Sequence, residues 1–580
     1  MAEAIISPGV FITENDLSQI PQGPIEVGAA ILGPTVIGKV NVPTVVTSYA
    51  DYKQKFGSTF VSGNTVLEYL TSIAASNYFE QGGTTLLVTR IPSGSSSQTF
   101  TSATASVRTV TSAAASSFVL ETLSQGTLMN NNGGTVTNNG VLPSGSSVNV
   151  RWEIAQSDTS SGLFTLLIRR GDDYANNKTV LETWSNISLD PNQSNYIAYV
   201  IGDQKETVAQ DDAGVYYIQY TGTYQNKSKY VRVSSVTSTP GYLDAYGRPL
   251  TQYTGSMPQV GSGSLHGAFR DAMGNMVPTS VAPNMFENIT STNIQGIIGS
   301  DYNVAISLLS NKDAYKFNSV YAPGLNTIVS LTQVNNLIQM SQNRGDNIAV
   351  VDMVGYGSSI STAVAQASTI DSSYAATYWP WVQIKSKETG QFRFVPASTV
   401  VPAAYEYNDR ISAEWFAPAG FNRGGIPSVV QPERRLSVND RNTLYSGKVN
   451  PIATFPGVGT VIYGQKTLQS IPSALDRVNV RRLIIALKRY IGGVAEGLVF
   501  EPNTQATRTR FLSQVNPYLE YVQQRQGLYA FQVVMDETNN TPDTIDRNQL
   551  IGSIYLQPTR TAEFILLDFN LLPTGVTFGQ

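Results

Sequence analysis

The sequence predicts a multidomain α/β (α+β) protein with a discontinuous core, an inserted β-rich region and an extended strand arm at each end. Three observations carry that prediction. Residues 25–96 and 296–540 alternate strand-like apolar runs with apolar residues at helical spacing, the pattern of strands covered by helices. Between them, Ser, Thr, Asn and Gly dominate from Pro92 to about Gly140, and helical periodicity vanishes through residue 295. The two ends, SPGVFITEND from Ser7 and SIYLQPTRTAEFILLDFNLL from Ser553 to Leu572, read as strands without local partners. At 580 residues the chain is long enough for roughly three or four domains, each with its own core.

The first element is an N-terminal arm, residues 1–24. Pro8 and Gly9 block a helix ahead of it. Val10 and Ile12 then point one way and Phe11 and Thr13 the other. In the first core segment, 25–96, residues 27–37, 42–47 and 85–91 read as strands. A helix capped by Asn64 or Thr65 carries Val66, Leu67, Leu70, Ile73, Ala74 and Tyr78 at helical spacing, and Gly82 and Gly83 stop it. The insertion, 97–295, offers short strands near 148–154, 164–169 and 196–201; such sequence buries little apolar area per residue, which places it at the periphery.

In the second core segment, 296–540, helices are predicted at 306–309, 328–340 and 359–368, strands at 317–321 and 348–354, and a hairpin at 379–384 and 392–396 turning at Thr389 and Gly390. Two strong helices follow at 474–491 and 505–524, then a strand at 529–535 and a polar joint, TNNTPDT, at 538–544. From that joint hangs a C-terminal arm, 541–580. Its Phe564, Ile565, Leu566 and Leu567 are apolar on both faces of a strand, with Phe569 just beyond. Two readings stand for such ends: pairing within their own domain, or pairing with another copy of the chain, which amounts to strand addition, in which backbone hydrogen bonds give affinity and alternate side chains give register.

Composition narrows the function. Lys plus Arg number 38 against 42 Asp plus Glu, a net charge of −4, so the chain carries no overall basic field for nucleic acid. Charged residues are 14%, against roughly 25% in ordinary soluble domains, which fits either an extensive contact surface or a Ser/Thr-rich β protein solubilised by hydroxyls and amides. There is no cysteine, which removes disulfides, thiolate catalysis and Cys-based metal sites. The start, MAEAIISPGV, lacks a basic region followed by an apolar stretch, and the apolar run 483–487 is too short to span a bilayer. The expectation is a cytoplasmically made product without membrane insertion.

Chemical motifs are few. GPTVIGKV, from Gly33 to Val40, has the glycine and lysine spacing of a phosphate-cradling loop, but Val40 stands where a magnesium-binding hydroxyl is needed and no helix follows. His266 is the only histidine, so His-based triads and metal sites are poorly supplied. The carboxylate pairs Asp172-Asp173 and Asp211-Asp212 read as solvated loop acids rather than a glycosidase pair. No catalytic residue, cofactor or metal site is predicted. The one concentrated basic stretch is Arg477, Arg481, Arg482, Lys488 and Arg489 on a helix whose other face is apolar. Two readings stand: a solvated outer face, or a contact with an acidic protein surface.

Taken together, several segments resemble the tail sheath subunits of contractile-tailed bacteriophages and related contractile particles. They are SPGVFITEND, VGAAILGPTVIGKVNVPTVVTSYADYKQKFG ending at Gly57, NYFEQGGTTLLVTRI from Asn77, and SSYAATYWPWVQI from Ser372. Further on come VPASTVVPAAYEYND from Val395, FAPAGFNRG from Phe416, NVRRLIIALKRYI from Asn479, VFEPN from Val499 and TAEFILLDF from Thr561. The alanines at 403–404 depart slightly from the family's glycine-containing pattern, and about 97–295 has no clear counterpart.

The resemblance implies a non-enzymatic homo-oligomer, stacked as rings or a helical tube around a tail tube protein and bounded by baseplate and tail terminator or neck proteins. It would be assembled in the host cytoplasm and resident in the virion tail. Arms add strands to neighbours, and a repeated heterologous contact generates an open helix. About six backbone hydrogen bonds per arm, at about 0.5 to 1.5 kcal/mol net each, give several kcal/mol. Joints near 16–23 and 538–544 absorb the change in subunit angle. Contraction without a nucleotide site implies a metastable extended state, trapped kinetically. In that state the 477–489 helix is expected to touch the tube through exposed charge pairs, so that charge reversal at Arg481 and Arg482 spoils extended assembly alone. A bacteriocin-like injection particle fits the same resemblance; a β-rich adhesin or carbohydrate-active protein is the alternative from outside it.

Overall fold

The computed structural model describes residues 26–62, 65–91, 102–112, 114–125, 150–173, 177–265 and 299–563. Its centre is a six-stranded sheet in the order Ala375–Ala376, Ile348–Asp352, Lys316–Asn326, Glu26–Gly33, Leu86–Arg90, Thr44–Val46. All pairs are parallel except the last. Strands from either side of the insertion are therefore neighbours, with Ala29 opposite both Ser319 and Leu86.

The strand centres are apolar on both faces, as suits a sheet covered on both sides. Ala29, Ile31, Leu86, Val88, Ile348 and Val350 enter one core with the Leu70–Glu80 and Val401–Ile411 helices. The alternate residues Ala30, Leu32, Leu87, Ala349 and Val351 enter a second core with the helices Tyr302–Leu309, Thr327–Arg344 and Ile360–Ser368.

The insertion is β-rich, as expected. A three-stranded and a four-stranded sheet share one apolar core containing Phe118, Leu120, Ile154, Leu166, Ile168 and Val231. It is fastened to the central sheet by Arg90, which is 2% exposed and donates through Nη1 to the carbonyls of Gly38 and Gln125, both at 2.6 Å. Burial lowers the Arg90 pKa to about 10, with Tyr69 and Tyr52 opposing the shift.

At the C-terminal end, the helices Val478–Glu496 and Gln505–Gln524 and a hairpin of Leu528–Val534 with Ser553–Pro558 enclose a further core. Leu483, Leu487, Phe511, Val515, Leu519 and Leu528 fill it.

Three expectations change. The helix predicted from Asn64 begins only at Leu70, because Thr65–Glu68 is a strand paired with Thr59–Ser62. The β-branched Thr65 and Val66 suit that hairpin. The strand expected at 196–201 is instead a short helix, Ile197–Ile201, that buries Ile197, Ala198 and Ile201 on one side. The joint at 538–544 is anchored to the fold through Asn540, which is 2% exposed, Nδ2 donating to the Ile551 carbonyl at 2.8 Å and Oδ1 accepting from the Ile551 amide at 2.9 Å. A helix, Pro542–Asp546, follows, and Ser553–Pro558 completes the hairpin, so residues 541–563 belong to the body rather than to an arm.

Candidate assembly surface

The hairpin at the C-terminal end is one of three two-stranded sheets among the described residues that have no further strand partner. Leu528–Val534 and Ser553–Pro558 pair only with each other among the described residues. Phe531, Val533, Ile554 and Leu556 pack against the helical core, while Tyr529 and Tyr555 are 62% and 61% exposed. The outer edge of each strand presents backbone donors and acceptors to whatever lies alongside, the condition for strand addition. The predicted arm residues Val10, Phe11, Ile12 and Thr13, and Phe564, Ile565, Leu566, Leu567 and Phe569, lie outside the described residues.

Just past the hairpin the chain is fastened again. Arg477 donates from Nε and Nη2 to the two Glu563 oxygens at 2.7 and 3.0 Å. Tyr445 Oη adds a bond of 2.7 Å and Gln465 Nε2 one of 3.2 Å. Burial would raise the Glu563 carboxyl, but these donors win and hold it below the usual glutamate range. Sequence reasoning missed this group, because its partners are separated by 86 to 118 positions and no local pattern announces them.

The basic helix is corrected by the structure. Arg481 and Arg482 are not exposed; they are 4% and 2% accessible. Arg482 is paired bidentately with Asp409, one bond being 2.9 Å, and its guanidinium lies 4.6 Å from the Tyr405 ring. Burial works against the Arg482 charge, but Asp409 overrides it and holds the group above its usual range. Arg481 sits 4.0 Å over the Tyr374 ring, and Arg489 pairs with Glu414 at 2.6 Å. The acidic surface expected opposite the helix is therefore largely within the same chain. The helix faces the Val401–Ile411 element and its following loop, so the arginines are drawn into an internal interface. Charge reversal at Arg481 and Arg482 would disrupt the subunit itself. Of the five cations, Lys488 is the exposed one, its Nζ 3.1 Å from the Tyr374 hydroxyl.

The remaining motifs have structural uses. In the Gly33–Val40 loop the amides of Ile37, Gly38 and Val40 are engaged by the Phe56 carbonyl, Ser124 Oγ and Gln125 Oε1, and Lys39 pairs with Glu206 at 2.8 Å. The donors of a phosphate cradle are thus committed to protein atoms. Asp173 is buried between Arg151 and Arg169, Asp172 pairs with Arg170, and Asp211 accepts the amides of Ala213 and Val215 in a tight turn. His266 lies outside the described residues. Among the described residues no His, Asp or Glu cluster has metal-binding geometry, and no helix is long and apolar enough to cross a membrane.

The surface is thus built from carboxylates held by arginines and a hairpin with no further strand partner among the described residues. Comparison with known proteins names the family. The phage tail sheath protein central domain matches residues 295–468, and the phage tail sheath C-terminal domain matches 470–571. The tail sheath protein of Vibrio phage KVP40 is 34% identical over 279 residues, 47% of this chain and 41% of that protein. That of Enterobacteria phage T4 is 35% identical over 232 residues, 40% of this chain and 35% of that protein. A crystal structure of a sheath tail protein from Listeria innocua superposes with a TM-score of 0.50 over 92% of this chain and 95% of that one, at 11% identity, a likeness of fold alone. Residues 295–571 of the chain are thus similar to the two domains of the phage tail sheath family. Its matches span 41% and 35% of the length of these two curated relatives.

Proposed function

We propose that this chain is a non-enzymatic subunit of a contractile tail sheath. It polymerises around a tail tube in a metastable extended state, and a baseplate signal triggers contraction that drives the tube through the host envelope. The observation that carries the reading is the C-terminal hairpin, whose unpaired edges are suited to receive the apolar N- and C-terminal arms of neighbouring copies. The engaged amides of the 33–40 loop support a device driven by energy stored at assembly rather than by a nucleotide. A tube-facing role falls to the exposed, Lys488 end of the basic helix, while Arg477, Arg481, Arg482 and Arg489 hold the subunit together.

Negative-stain electron microscopy of the full-length chain beside a chain ending at Glu563 tests the reading. Cutting there leaves the hairpin whole, whereas a cut at Asn540 would remove one of its strands. Hollow tubes from the full-length chain alone are expected. Discrete particles from both would overturn the proposal.

A further inference from the structure

We infer that Glu563 is a positioning residue that fixes where the C-terminal arm leaves the subunit and shields the hairpin from any pull on that arm. The inference rests on the reading of the chain as a polymer subunit whose arm is held by a neighbour.

The hairpin is poorly placed to resist tension. Ser553–Pro558 runs antiparallel to Leu528–Val534, with Pro558 opposite Leu528 at the unconnected end. A pull on the chain beyond Pro558 opens the pair from that end, one hydrogen bond after another. Each step then opposes the pull with a single hydrogen bond.

Glu563 is placed to take the pull first. Its carboxylate is gripped by both Arg477 nitrogens, by Tyr445 and by Gln465, and Gln465 Nε2 also donates to Thr561 Oγ1 at 2.6 Å. A bidentate, charge-assisted pair with two flanking donors must break as a group rather than in sequence. Its supports are rigid. Arg477 is the N-cap residue of the Val478–Glu496 helix and is braced by Asp476 at 3.0 Å. Tyr445 lies on the Val438–Ser446 helix, with Lys466 Nζ 4.4 Å over its ring. Tyr445 and Gln465 fall in the matched central domain, Arg477 and Glu563 in the matched C-terminal domain. Tension arriving from beyond Glu563 thus passes into both domains at their join, and the hairpin stays slack.

The test is hydrogen exchange at the backbone amides of the Ser553–Pro558 strand. It uses the full-length protein, as soluble subunit and as assembled tubes, in wild type, Glu563→Ala and Glu563→Gln. In the soluble subunit, neither substitution is expected to change the exchange. In tubes, Glu563→Ala is expected to raise it about ten-fold or more, as an element opens locally without global unfolding. Glu563→Gln, which keeps the shape but not the charge, falls between. A Glu563→Ala subunit that stays soluble with a protected hairpin yet forms no tubes also supports the inference, since assembly then needs the fixed point of departure. Equal exchange in wild-type and Glu563→Ala tubes overturns it. So does an equal rise in the soluble subunit, which makes Glu563 a stabiliser of the fold and nothing more. Absence of tubes from the wild type overturns the sheath reading itself, and the inference with it.

Discussion

The central sheet and the C-terminal hairpin treat their edges in opposite ways. The central sheet ends in strands of two and three residues, Ala375–Ala376 and Thr44–Val46, too short to template another chain. Its inner strands Leu86–Arg90 and Ile348–Asp352 are buried at every position. The hairpin strands have seven and six residues, and both outer edges are open among the described residues. The contrast separates two parts of one chain: a body whose sheet edges are short, and a hairpin whose edges, in the proposed sheath, take strands from a neighbour.

Four outcomes would break or sharpen that contrast. The largest effect is expected at the seam of the body. Arg482→Ala leaves Asp409 buried without its partner, and chemical unfolding should show a loss of about 3–5 kcal/mol. A loss below about 1 kcal/mol would mean that the interface relaxes like a surface. Next, Ile31→Ala in the middle of the central sheet should cost about 2–5 kcal/mol, read the same way.

The third outcome is a pH dependence. Burial lifts the carboxyl of Asp352 to about 6, against the bonds it accepts from Ser398 and Gly324. The folded state therefore holds this proton more tightly than the unfolded chain. The contribution is fully present below the unfolded pKa near 4 and is lost as pH rises through about 6, on the order of 3 kcal/mol. Urea midpoints between pH 4 and 7 should fall more steeply with rising pH in the wild type than in Asp352→Asn; parallel curves would refute the assignment.

The smallest effect on the subunit is expected at the joint. Tyr555→Ser should change unfolding stability by no more than about 0.5 kcal/mol. It should nevertheless reduce the yield of tubes seen by electron microscopy, and an unchanged yield would remove the exposed tyrosine from the proposed contact.

Much of the body was legible in the sequence, because its signals are local. The helix read at 505–524 is Gln505–Gln524, and the hairpin turning at Thr389 and Gly390 pairs Val382–Lys385 with Phe392–Val395. The discontinuous core was also legible, since a change of period on either side of the insertion marks it. What escaped depends on distant partners. The charges of Arg481 and Arg482 pointed outward as a pattern, yet Asp409, 73 positions before Arg482, draws its guanidinium inside. The boundary of the C-terminal arm was misplaced at 541 for the same reason. The polar run at 538–544 looks like a linker, and only the pairing of Ser553–Pro558 with Leu528–Val534 shows that the chain is still within the body.

Arg90 gives the insertion a use as a pointer. Its guanidinium is sealed between the carbonyls of Gly38 in the core and Gln125 in the insertion, so the insertion is held to the central sheet by more than its own chain connections. A fluorophore pair on the insertions of adjacent copies would then read out the rotation of their cores directly. In the proposed sheath, mass added to the insertion would therefore be carried along with the core.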